Sequence, residues 1–238
     1  MIIDAFSVSW IVLAVLSVAT IIWIWKYGKN KTANERKKLM QNIAIIGLVI
    51  MIAYKAWCIL DPANGFTLWT EFPLQPCNIC CIFILIGMFT NCRLLLAFSF
   101  FVGLIAPVMA LVMPSEGFYN VPLFSSCAIG YYVFHYYVII EAVSLVTLRV
   151  FSPEYIDSLK VSGFYFVLLL PIHLINWILR NTVYPEASFF WTFGNPDNSI
   201  LVMLKGLIPV NIIYLLPLGL VFIPYCLLVT FIVKKIRK

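Results

Sequence analysis

Residues 72–83 read FPLQPCNICCIF, placing Cys77, Cys80 and Cys81 within five positions, just after Gln75 and Pro76. The chain holds only two histidines, His135 and His173. A thiol nucleophile, an imidazole base and free backbone amides make a complete set for acyl transfer. Cys77 is the natural nucleophile. Pro76 suits the first position of a helix, which puts Cys77 in the first turn among unpaired N–H groups and at the positive end of the dipole. That environment activates a thiol.

Other chemistries share these cysteines. Cys77 and Cys80 form a C-x-x-C pair, the pattern of a redox thiol, with Cys127 as an outer-loop partner for disulfide exchange. A zinc site needs about four ligands, and the chain has no second C-x-x-C, so no metal and no cofactor are expected. Cys58, Cys92 and Cys226 read as small apolar residues within helices.

The elements that must position these groups are membrane spans. Of the 238 residues 63% are hydrophobic and 11% charged, with mean hydropathy +1.01, which excludes a soluble domain. The expected fold is all-α: one polytopic membrane domain over 1–238, a bundle of about seven spans near 7–27, 41–60, 76–92, 94–113, 128–149, 161–179 and 207–233. The first run lacks a basic n-region and a small-residue cleavage site, so it reads as a retained helix.

Lys26, Lys29, Lys31, Arg36, Lys37 and Lys38 crowd the loop after the first span and place it inside. Alternation then puts thirteen of the sixteen basic residues inside, with Arg93, Arg149, Lys160 and the tail from Lys234 to Lys238 among them. This predicts an outer N-terminus and a cytoplasmic C-terminus. Arg180 and Lys205 fall outside, and Lys55 lies within a span. The net charge of +6 therefore follows topology, and no nucleic-acid partner is expected. The outer loops 61–75, 114–127 and 180–206 carry an aromatic belt that includes Trp69, Phe72, Phe118, Tyr119, Tyr184, Phe189, Phe190 and Trp191. The last of them also holds a turn signal at Asn195-Pro196-Asp197.

Ionisable groups inside spans each require an account. Lys55 lies roughly 8 Å, His173 roughly 9 Å and Asn176 roughly 4 Å below the outer boundary at the helical rise. His135 lies in the outer half of the fifth span, with Tyr131 one turn above to orient it. Gln75, Cys77 and Asn78 open the third. These groups share one leaflet, as the lining of a polar cavity open to the outer face would. Glu141, about 9 Å deeper than His135, has no evident role. The third span is short: from Cys77 to Cys92 it covers about 24 Å against a hydrocarbon core of roughly 30 Å. Its start is therefore recessed toward the depth of His135.

F-P-L-Q-P-C-N-I at 72–79, G-L-I-A-P at 103–107, Y-Y-V-F-H-Y-Y at 131–137 and H-L-I-N-W at 173–177 resemble the motifs of the YwaF-type bacterial integral membrane proteins. That family is similar to a eukaryotic group of transmembrane phospholipid acyltransferases and, more remotely, to small membrane lipid hydrolases. The resemblance spans about residues 40–225. It implies that Cys77 matches the nucleophile and His135 the membrane histidine, with Asn176 and Asn181 matching two later asparagines. Gln75 stands where the family usually has a histidine, and Thr182 where a tyrosine is expected.

The resulting expectation is a cell-membrane enzyme, with the bacterial cytoplasmic membrane implied. It would be an acyltransferase or lipid hydrolase using Cys77 and His135 on an outer-leaflet lipid. Lys55 and Arg180 would hold phosphate, and Gln75, Asn78, Tyr131, His173, Asn176 and Asn181 would orient the substrate. The alternatives are a non-catalytic binding or transport module for a small ligand, and a thiol-redox membrane protein.

Overall fold

The computed structural model describes residues 2–61, 65–114, 118, 121–194 and 199–237. Tyr119, Asn195-Pro196-Asp197, Lys238 and the side chain of Cys127 lie outside the described residues. The helices are α1 (Val8–Gly28), α2 (Ala33–Leu60), α3 (Pro76–Thr90), α4 (Arg93–Val112), α5 (Ser126–Thr147), α6 (Tyr155–Arg180), α7 (Ser199–Leu207) and α8 (Gly219–Ile236). A two-residue antiparallel pair joins β1 (Ile2–Ile3) to β2 (Val121–Pro122). Six apolar stretches among the described residues are long enough to cross a membrane, and α3 is a seventh, shorter apolar helix. The chain is thus a helical, multi-pass membrane protein, as its composition requires.

Helix starts follow capping chemistry. Ser7 Oγ accepts from Trp10 N, and Ser125 Oγ from Ala128 N. Thr32 and Glu35 form a capping box, with Glu35 Oε2 accepting from Thr32 N at 2.8 Å. That cap explains why α2 begins at Ala33 and not at the apolar boundary near residue 41. The same effect starts α6 early, where Asp157 Oδ2 accepts from Glu154 N. The expected last span, 207–233, begins later, with the candidate span running Ile213–Ile236. Pro209 follows the end of α7, and a 3-10 turn (Ile213–Leu218) containing Pro217 precedes α8. Proline lacks the amide a continuous helix needs. The expected outer loop 180–206 therefore contains most of a helix, α7.

The chain divides into two compact units: residues 1–67 with 76–152, and residues 68–75 with 153–238. In the first, α1–α5 pack together. Gly47 on α2 receives the Glu141 side chain, and Gly130 on α5 receives the Tyr54 ring. Tyr137 Oη donates to the Ile43 carbonyl at 2.9 Å. Glycine allows such close approach between membrane helices, where packing and hydrogen bonds drive association. α1 is pinned by Trp10 Nε1 donating to Leu111 O and by Tyr136 Oη donating to Trp10 O. In the second unit, Ser158 and Thr230 hydroxyls meet at 3.3 Å between α6 and α8, and the Tyr165 and Phe222 rings pack at 5.6 Å.

Candidate functional site

Cys77 is the second residue of α3, after Pro76, and it is buried. Its own backbone amide is one of the donors that a helix start leaves without an intrahelical acceptor. Asn78 beside it is buried as well.

The opposing element is α5, which holds His135 through a chain of contacts. Tyr131 Oη donates to Ala110 O on α4 at 2.9 Å, and its ring stacks on Phe118 at 4.0 Å. So fixed, Tyr131 sets the histidine. His135 Nδ1 lies 2.7 Å from the Tyr131 carbonyl, and the two rings pack at 4.2 Å. A carbonyl only accepts, so Nδ1 carries the proton and Nε2 holds the lone pair. His135 is 7% exposed, too little for free contact with bulk solvent.

Lys55 completes this group from α2. Its neighbour Tyr54 fits over Gly130 and stacks with Phe134 at 5.9 Å, which fixes the register between α2 and α5. The half-buried Lys55 ammonium lies within electrostatic reach of both the Cys77 sulfur and the His135 ring. Within the first unit Lys55 is thus near both Cys77 and His135, and Tyr131 holds His135. Among the described residues no hydrogen bond joins the Cys77 sulfur to His135. Deeper along α5, Glu141 is 1% exposed and its side chain fits against Gly47 of α2. Its Oε1 has no hydrogen-bond partner among the described residues.

The second unit holds the other sequence candidates. Asn176 is fully buried and commits its amide to the segment after α6. Its Nδ2 donates to Phe189 O and Thr192 Oγ1, each at 2.8 Å, and its Oδ1 accepts from Phe189 N at 2.9 Å. It acts as a clamp on the 3-10 turn Phe189–Trp191. Asn181 donates to Trp177 O at the exposed end of α6. Among the described residues Gln75 has a buried Oε1 and His173 a buried Nδ1 with no hydrogen-bond partner.

Arg180 and His173 share an aromatic partner. The Arg180 guanidinium sits 4.9 Å from the Phe193 ring, and His173 stacks on that ring at 4.4 Å. Lys205 joins them from α7, donating to Phe193 O and to Asn211 Oδ1. Burial first, and the Arg180 charge second, hold the Lys205 ammonium below its usual range. Among the described residues no carboxylate pairs with either cation. Lys205 was not among the sequence candidates. The available signal was topological, since Arg180 and Lys205 are the two loop residues that break the charge rule.

The TMEM164 family matches residues 5–230, nearly the whole chain, so the protein belongs to that family. No curated protein and no solved structure matches.

Proposed function

We propose that this member of the TMEM164 family is a membrane-embedded acyl-transfer enzyme that acts on a lipid ester. What supports the reading is Cys77 at a helix start, a histidine whose Nε2 is left as a base, and a lysine near both. The resemblance to YwaF-type proteins and to transmembrane phospholipid acyltransferases supports the same assignment.

In this reading His135 Nε2 takes the Cys77 thiol proton. The thiolate attacks the ester carbonyl, and first-turn amides of α3 stabilise the tetrahedral oxyanion. Collapse breaks the ester C–O bond, leaves a Cys77 thioester, and the departing lysolipid oxygen takes the proton from His135. A second hydroxyl, from a lysolipid or water, loses its proton to Nε2 and attacks the thioester. The thiol is then regenerated. Substrate binding must bring sulfur and imidazole into hydrogen-bond range, as catalytic contacts often tighten only in the complex. Lys55 offers its charge to the lipid phosphate. In the second unit, Arg180 and Lys205 form another anion-attracting pair.

The test is mass spectrometry of purified protein incubated with a lipid carrying an activated ester. The expected result is one acyl adduct on Cys77, absent from Cys77→Ala. An adduct of equal yield in that variant removes the mechanism and leaves a non-catalytic lipid-binding module as the better account.

A further inference from the structure

The first unit contains a second polar feature, at the end opposite to the start of α3. A cavity of about 310 Å³ opens between the first turns of α2 and α4, the end of α3 and the segment after α5. Arg36, Lys37, Asn91 and Arg149 line it, together with the apolar side chains of Met88 and Leu96. Among the described residues no acidic one lines it. The nearest acid in sequence, Glu35, is turned away to cap Thr32.

The cations differ in how they are held. Lys37 Nζ donates to Asn91 Oδ1 at 2.6 Å, which ties α2 to the α3–α4 turn, where Asn91 adopts φ 57°. Arg36 and Arg149 have no hydrogen bond or ion pair from their side chains among the described residues. Two guanidinium forks thus face one concavity with their donors unused. Charges that only set membrane orientation need no common target. Here residues more than a hundred positions apart in sequence converge on a single hollow, which apolar side chains also line.

We propose that this cavity binds a phosphate group, carried by an anionic phospholipid of the leaflet that faces the basic loops. Arginine forks match phosphate oxygens bidentately, and basic hollows between membrane helices suit anionic headgroups. The cavity lies where apolar helices begin or end in basic residues, the composition expected at headgroup depth. Met88 and Leu96 supply a surface for the glycerol and first methylenes, which free phosphate would leave uncovered. The site is independent of the acyl-transfer reading, since it shares no residue with Cys77, His135 or Lys55.

The experiment measures lipid binding to the full chain in neutral detergent, by native mass spectrometry and thermal shift. Short-chain phosphatidylglycerol, phosphatidylcholine and inorganic phosphate are the probes. Phosphatidylglycerol is expected to bind the unmodified chain and to lose about 30-fold in affinity in R36Q/R149Q. K31Q/K38Q, which removes the same charge outside the cavity, should change it by no more than about twofold. Inorganic phosphate that competes at matching concentration would make the site one for phosphate itself; failure to compete assigns it to the lipid. Equal binding of the two lipids, or equal loss in K31Q/K38Q, overturns the proposal. Should R36Q/R149Q not fold, R36K/R149K keeps the charge without the forks, and unchanged binding there overturns it as well.

Discussion

His135 Nδ1 lies 2.7 Å from the carbonyl oxygen of Tyr131, one turn earlier on α5. The bond fixes which nitrogen is protonated, and so which one can accept a proton. His135→Asn keeps a donor near the Nδ1 position but removes the Nε2 base. It should fold and yet form the Cys77 acyl adduct at least about 100-fold more slowly. Adduct formation over time, followed beside the thermal midpoint, separates lost chemistry from lost structure. A rate within a few-fold of the unmodified chain would exclude His135 as the base.

Gly130 and Gly163 should respond oppositely to alanine. A Cβ at Gly130 would fall 2.1 Å from Tyr54 Cδ2, so the ring or the helix must move. Overpacking of this kind costs about 1–3 kcal/mol. At Gly163, in the interior of α6, a Cβ would meet nothing within 4 Å. Alanine there should stabilise by about 0.5–1 kcal/mol through helix propensity. Thermal midpoints in detergent decide both. If Gly130→Ala were neutral, the register between α2 and α5 that sets Lys55 near His135 would be wrong.

Much of this architecture was legible in the sequence because bilayer thickness fixes span length. The short third helix followed from Pro76 and Arg93, and the Tyr131–His135 relation from helical spacing. Less legible were features that depend on caps and tertiary approach. Thr32 and Glu35 extend α2 through polar residues that hydropathy excludes, and Pro209 delays a last span that hydropathy starts at 207. Asn176 looked like a residue for substrate, but the Phe189 backbone and Thr192 take up its amide. Arg180 and Lys205 were each visible as exceptions to the charge rule. Only folding showed that α7 brings the second toward the first.

Asn176 supplies a prediction about the second unit alone. Its amide makes three hydrogen bonds to Phe189 and Thr192 in a fully buried setting. Asn176→Ala leaves those partners unsatisfied, at about 1–3 kcal/mol for each buried group. The 3-10 turn Phe189–Trp191 should loosen first, so limited proteolysis should cut within 187–194 well before α6 itself melts. Protection equal to that of the unmodified chain would show that the clamp is not what holds the turn.

Lys55 and the three clustered cysteines provide the last test, since the readings differ on which sulfur reacts. Cys80 and Cys81 are 2% and 0% exposed and lie one turn into α3, away from its free amides. Cys77 alone sits in the first turn and within reach of Lys55. Among the three clustered cysteines a small alkylating reagent should therefore modify Cys77 first. Cys80→Ala and Cys81→Ala should leave the rate unchanged within about twofold, because a buried thiol away from activating charge is inert. Lys55→Met removes the positive charge that favours the thiolate and should slow alkylation about tenfold, while Lys55→Arg should restore most of it. Peptide mapping of the alkylated protein reads each rate by position. Modification spread evenly over Cys77 and Cys80, or a rate indifferent to Lys55→Met, would favour a thiol-redox pair over a single activated nucleophile.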